Sequence, residues 1–169
     1  MLVGAQSSAG ASREAIYKAM TGDWTGYLEY RDYRNDKHVK LPTVLDATPA
    51  GDAQAIELKY VYDDGPGKIV EETETINIDL DTRQYTVQEN DGIKTVYQIA
   101  KLEGFEKSSA GFLLLSGPGI ENNQKVEVRT TIHSAERSLT ILRETRLPGG
   151  EFKFRHQYSL TRAAATITP

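Results

Sequence analysis

From Trp24 to Leu160 apolar and polar residues alternate in short runs, and turn-forming residues separate the runs. Trp24, Gly26, Leu28 and Tyr30 alternate with Thr25, Tyr27, Glu29 and Arg31. Ile56, Leu58, Tyr60 and Tyr62 alternate with Glu57, Lys59 and Val61. Ile93, Thr95, Tyr97 and Ile99 repeat the pattern, as do Val126, Val128, Thr130 and Ile132. A period of two places each set on its own face of a strand. Asn35-Asp36, Pro49-Ala50-Gly51-Asp52, Asp63-Asp64-Gly65-Pro66-Gly67 and Asn90-Asp91-Gly92 mark turns, and Asp-Gly is favoured in two-residue hairpin loops. Gly111 to Ser116 reads as a short strand closed by a Gly117-Pro118-Gly119 turn, and Leu139 to Thr145 as another, ended by Leu147-Pro148-Gly149-Gly150. The pattern predicts about ten strands at roughly 10–14-residue spacing, the signature of an antiparallel sandwich or barrel. No connection is long enough for the crossover helix that parallel strands need. Consecutive hairpins favour an up-and-down meander, so the predicted fold is all-β: one antiparallel barrel of about ten strands. Pro42 interrupts the His38 to Thr48 run and marks that end as an edge or a bulge.

One helix precedes the strands. Ala15, Ile16, Ala19 and Met20 form an apolar stripe at helical spacing, Ser12 is the N-cap and Thr21-Gly22 ends the segment. A helix this short is unstable alone, so it must dock, and the mouth of the barrel is the expected place.

A chain of 169 residues fits a single domain with a sizeable core. It contains no cysteine, which excludes a disulfide framework, a thiolate metal site and a cysteine nucleophile. The net charge of −4 comes without a basic block, so no nucleic-acid partner is expected. No stretch approaches the ~20 apolar residues of a helical membrane span. Residues 1–11 read as a flexible start or a signal remnant, 12–162 as the barrel and 163–169 as a frayed tail. Ser7 and Ala9 have the −3 and −1 spacing of a signal-peptidase site after Leu2-Val3-Gly4-Ala5. That reading predicts a periplasmic or secreted protein; the alternative is a cytoplasmic one with a flexible N-terminus.

Gly22-Asp23-Trp24-Thr25-Gly26, after a short helix and at the start of the first strand, resembles the G-x-W-x-G opening of the calycin barrels. These include lipocalins, fatty-acid-binding proteins and nitrobindin-like barrels. The Asp63-to-Lys68 loop, D-D-G-P-G-K, is also similar to one in uncharacterised bacterial proteins that begin W-T-G. The resemblance implies that Trp24 plugs one end of the barrel beneath the 12–20 helix. It also implies an interior able to hold a small ligand. Fatty-acid-binding proteins carry Arg-x-Tyr on the last strand to hold a carboxylate; the matching spacing here is His156-x-Tyr158, which departs from that pattern. Nitrobindin-like barrels bind haem through a late histidine, and only His156 could match. Nothing else in the sequence supports haem, and no cofactor is expected.

Phe152, Phe154, His156, Tyr158 and Leu160 share one parity of the last strand, which is expected to face inward. His156 and Tyr158 are therefore the candidate polar pair of the interior, with Tyr60, Tyr30 and Phe154 as lining neighbours. An imidazole among apolar side chains needs a hydrogen-bond partner: a phenol, a water or the head of a ligand. A hydrophobic anion is the expected ligand if His156 is protonated, a neutral molecule if it is not. Glu71, Glu72 and Glu74 are expected on the solvent face, although the parity of that strand is ambiguous. His38, His133 and His156 lack ligand spacing, and His133 is expected to face solvent, so no metal site is assigned. No nucleophile elbow, P-loop or dinucleotide fingerprint occurs.

Three functions stay open. The chain binds a small hydrophobic or amphipathic ligand without catalysis; it is an interaction protein with a filled barrel; or it is an enzyme working at the barrel mouth through His156 and Tyr158. Cavity volume discriminates between the first two, since a void below ~100 Å³ falls well short of an ordinary pocket.

Overall fold

The structure, a computed structural model, describes residues 10–106 and 110–164. The expectations for a signal remnant at 1–9 and for most of the frayed tail, 165–169, lie outside those residues. Helix α1, Arg13–Met20, begins where Ser12 accepts a hydrogen bond from the backbone N–H of Ala15 at 3.1 Å. Ten strands follow: β1 Gly22–Arg31, β2 His38–Ala50, β3 Ala55–Asp63, β4 Ile69–Asp79, β5 Gln84–Glu89, β6 Lys94–Gly104, β7 Gly111–Glu121, β8 Gln124–Ser134, β9 Ser138–Arg146 and β10 Lys153–Arg162. Every strand pairs antiparallel with its neighbours in sequence, and β1 pairs with β10. The sheet thus closes on itself as an up-and-down barrel with one short helix, as alternation and hairpin spacing predict.

Closure at β1–β10 depends on Gly26. A Cβ there would fall on the carbonyl oxygen of Ser159 across the pair. One end of the barrel is filled. Ile16, Tyr17, Ala19 and Met20 of α1 pack against Trp24, Leu45, Ile56 and Leu139. Trp24 is 0 % exposed and donates its indole N–H to Met20 O at 2.9 Å. The Arg162 guanidinium lies 4.2 Å from the Trp24 ring and donates to Thr21 O at 2.8 Å and Ala19 O at 3.3 Å. Tyr17 extends the plug to the opposite wall. Its hydroxyl donates to Gln54 O at 3.1 Å and accepts from Ile78 N at 2.9 Å.

The strand limits differ from the sequence reading at Pro118, and the difference follows from pairing. Gly117-Pro118-Gly119 is not a turn. β7 continues through it in register with β8 to the Glu121↔Gln124 pair, and the turn is made by Asn122 and Asn123, with φ of 50° and 60°. Two adjacent residues with positive φ are what a type I′ hairpin requires. The β6–β7 ladder ends at Ser116, so Pro118 sits where β7 has only one neighbour, and there the missing N–H breaks no ladder. Pro42 follows the same rule, as expected. Pairing of β2 with β3 begins at Thr43, and residues 38–42 pair with β1 alone.

β10 holds a larger correction. Its register with β9 shifts between Phe154 and His156. A bulge adds one residue to one strand and so reverses the facing of everything beyond it. His156, Tyr158 and Leu160 face inward as expected, but Phe154 and Phe152 face outward. Phe154 stacks on His38 at 4.7 Å, and His38 is exposed and bonded to Glu29 at 2.8 Å. Phe152 lies beneath the guanidinium groups of Arg129 and Arg146, at 4.0 and 4.4 Å.

Candidate functional site

The half of the barrel away from α1 is not filled. Beyond a floor of Leu58, Leu115, Ile132 and Ile141 lies a cavity of about 240 Å³. Tyr60, Tyr85, Tyr97 and Tyr158 form much of its wall. Tyr60 stacks on Tyr158 at 4.6 Å between ring centroids. The Tyr158 hydroxyl lies 2.6 Å from that of Tyr62, which donates to Glu72 Oε2 at 3.0 Å. A carboxylate only accepts, so the chain of donors runs from Tyr158 through Tyr62 to Glu72.

Of the residues the sequence singled out, His156, Tyr158 and Tyr60 come together on the cavity wall. Tyr30 shares their inward parity and stands opposite His156 on β1, but it lies outside the lining. Phe154 is on the outer face. His38 and His133 are exposed, His133 as expected.

The carboxylates require a second correction. Glu71 faces out and pairs with Lys59 at 3.7 Å. Glu72 and Glu74, expected in solvent, belong to the inward set with Ile76 and Ile78; they stand opposite Tyr60 and Leu58 of β3. Glu89 of β5 faces Glu74 directly across the β4–β5 ladder, and all three line the cavity. Glu72 and Glu89 are exposed at the rim, whereas Glu74 sits deeper and is partly buried. Burial first, then the Glu72 and Glu89 carboxylates, raise the Glu74 pKa to about 7.

Sequence reasoning also missed Arg143. It lies on β9 between Thr130 of β8 and His156 of β10 and joins the cavity lining. Its parity with Leu139, Ile141 and Thr145 was the available signal. Burial, and then the nearby Arg143 and Arg155 guanidinium groups, lower the His156 pKa to about 3. The imidazole is therefore neutral at neutral pH, and the positive charge of this wall belongs to Arg143. Burial is also the main cause that pushes the Tyr60, Tyr62, Tyr85 and Tyr158 phenols up, so all four stay protonated.

Fold and site together define a closed ten-stranded antiparallel barrel, plugged at one end and hollow at the other, with ionisable groups on an otherwise apolar and phenolic wall. No protein-family model matches the chain, and no curated protein matches it.

Proposed function

We propose that the protein binds a small amphipathic molecule inside the barrel and does no chemistry on it. The observation that carries this reading is the cavity. At about 240 Å³ it is well above a packing void, and it matches about eight waters at ~30 Å³ each. It is also smaller than a typical drug-sized pocket of ~300–1,000 Å³, which favours a ligand of one ring or a short chain over a long fatty acid. The apolar floor and stacked phenols favour an apolar body; the charged groups near the rim favour a polar head. The helix plug, the Gly22-to-Gly26 start and the ten-strand meander support placing the chain among calycin-like barrels, many of which hold ligands in this position.

The enzyme alternative built on His156 and Tyr158 is less well supported. A general acid or base works best with a pKa near the operating pH; His156 is far below neutrality, and the Tyr158 phenol is held protonated. The test is titration calorimetry with para-cresol and para-methylbenzamide. Binding is expected in wild type, loss in Thr130→Trp, which fills the cavity from β8, and weakening in His156→Ala. Phe154→Ala should leave affinity unchanged, because that ring is outside. Absence of binding to wild type, or equal binding to a folded Thr130→Trp protein, would overturn the reading.

A further inference from the structure

The charges of the cavity are sorted by wall. β4 and β9 are five strands apart in either direction round the ring, so they face each other across the barrel. Glu74 lines the cavity from β4, with Glu72 on the same strand and Glu89 beside it on β5. Arg143 lines it from β9, with the neutral His156 beside it on β10. Among the described residues, the side chains of Glu74, Glu89 and Arg143 make no hydrogen bond or ion pair. Opposite charges that share one cavity ordinarily meet, because a charge withdrawn from water needs a partner. These face each other from opposite walls without meeting, although the Arg143 charge still lowers the Glu74 pKa somewhat. Like charges directly opposite on neighbouring strands, such as Glu74 and Glu89, are destabilising. A local feature that disfavours folding, offset only in part by the Arg143 charge across the cavity, marks a functional position.

We propose that the ligand is zwitterionic, with an ammonium group held by Glu74 and an acid group, carboxylate or phosphate, held by Arg143. The proposal rests on the reading of the cavity as a ligand site and specifies the chemistry of the ligand. Each pole supplies what the opposing wall lacks. The ammonium places a donor cation against Glu74 and separates it from the Glu89 charge. The acid accepts from the Arg143 guanidinium, whose planar fork suits an oxyanion, and the neutral imidazole of His156 can donate a further hydrogen bond. The apolar body between the poles rests on Leu58, Ile132 and Ile141. The raised Glu74 pKa fits this arrangement: with the cavity unliganded the carboxyl is poised to give up its proton once a cation arrives.

The experiment uses four probes of one size and shape: para-aminomethylbenzoate (both poles), para-methylbenzylamine (ammonium only), para-methylbenzoate (acid only) and para-methylbenzamide (neither). Affinities are measured by calorimetry at pH 8 for the wild type, Glu74→Gln and Arg143→Met, with folding of each variant checked by circular dichroism. The expected order is the double-headed probe at least tenfold tighter than either single-headed one, and the amide weakest. Glu74→Gln should lose at least tenfold for the two ammonium probes and nothing for the acid. Arg143→Met should show the reverse. Equal affinities for all four probes, with the amide displaced by Thr130→Trp, would sink the zwitterion assignment and leave the cavity reading intact. Failure of all four to bind the wild type would remove both. Benzylphosphonate, whose phosphonate stands in for a phosphate, used in place of benzoate decides which acid the Arg143 pole prefers, with at least one of the two required to bind.

Discussion

Replacing Trp24 by alanine tests the architecture at the point where helix, first strand and last strand meet. The indole is fully buried against α1 and Leu45 and Leu139 of the plug. Truncating a large core aromatic costs about 3–5 kcal/mol, the spread reflecting how far the site collapses. Collapse is restricted here, because α1 is held from two other directions by Tyr17 and Arg162. The indole N–H also leaves Met20 O without its 2.9 Å partner, worth about 1 kcal/mol. Loss of the ring from beneath the Arg162 guanidinium removes a further ~0.5–1 kcal/mol. The expected total is about 4.5–7 kcal/mol, a large share of the ~5–15 kcal/mol by which domains are stable. Trp24→Phe keeps most of the ring and loses the N–H, so about 1–3 kcal/mol is expected.

The assay is urea unfolding followed by far-ultraviolet circular dichroism, since Trp24 is the chain's only tryptophan and its fluorescence disappears with the mutation. With m of about 2 kcal/mol per molar urea, the midpoint of Trp24→Ala should fall by about 2–3.5 M. The melting temperature should fall by roughly 9–28 °C. A loss under ~2 kcal/mol with an unchanged m-value would refute the reasoning, because no truncated, fully buried indole beneath a restrained helix should be so cheap.

Three further outcomes follow. Gly26→Ala should destabilise by about 3 kcal/mol or more, at the upper end for overpacking, because its methyl group lands on the Ser159 carbonyl at the barrel seam; near-wild-type stability in a melt would show that β1 and β10 do not approach this closely. Tyr17→Phe should cost about 1–3 kcal/mol by leaving Ile78 N–H buried without an acceptor, and an unchanged urea midpoint would remove that bond from the plug. Glu74 should give stability a pH dependence. Its folded pKa of about 7 lies above its ordinary value of 4.5, so its contribution is greatest below pH ~4.5 and declines by up to about 3 kcal/mol as pH rises through 7. Burial is the main cause of this shift; the Glu72 and Glu89 charges add to it and Arg143 opposes it. Glu74→Gln should abolish the decline, and identical pH profiles for the variant and the wild type would refute a buried, unpaired carboxyl.

How much of this was legible in the sequence depended on whether a residue's facing follows from its neighbours. In β3 every second residue from Ile56 to Tyr62 is apolar and every one is buried; pattern and pleat coincide, so the strand could be read directly. The helix plug was legible for a similar reason, with a capped apolar stripe followed at once by Trp24 and two glycines. In β4 the rule fails because polar residues occupy both faces between Ile69 and Ile76. Inward glutamates look like solvent-facing ones until the strand is anchored by Ile76 and Ile78 at its far end. In β10 it fails because alternation carries no mark of a bulge: Phe152 and Phe154 continue the parity of His156 in sequence and leave it in space. Arg143 was missed because an arginine amid Leu139, Ile141 and Thr145 departs from the expected pattern, and a departure in an otherwise regular strand is the more informative observation. Three of the residues hardest to place from sequence, Glu72, Glu74 and Arg143, meet at the cavity or its rim. This coincidence has a physical basis. Folding alone selects for apolar inward positions and an unbroken ladder, so charges that face inward without partners persist only where another requirement opposes that selection, and a ligand with complementary charges is such a requirement.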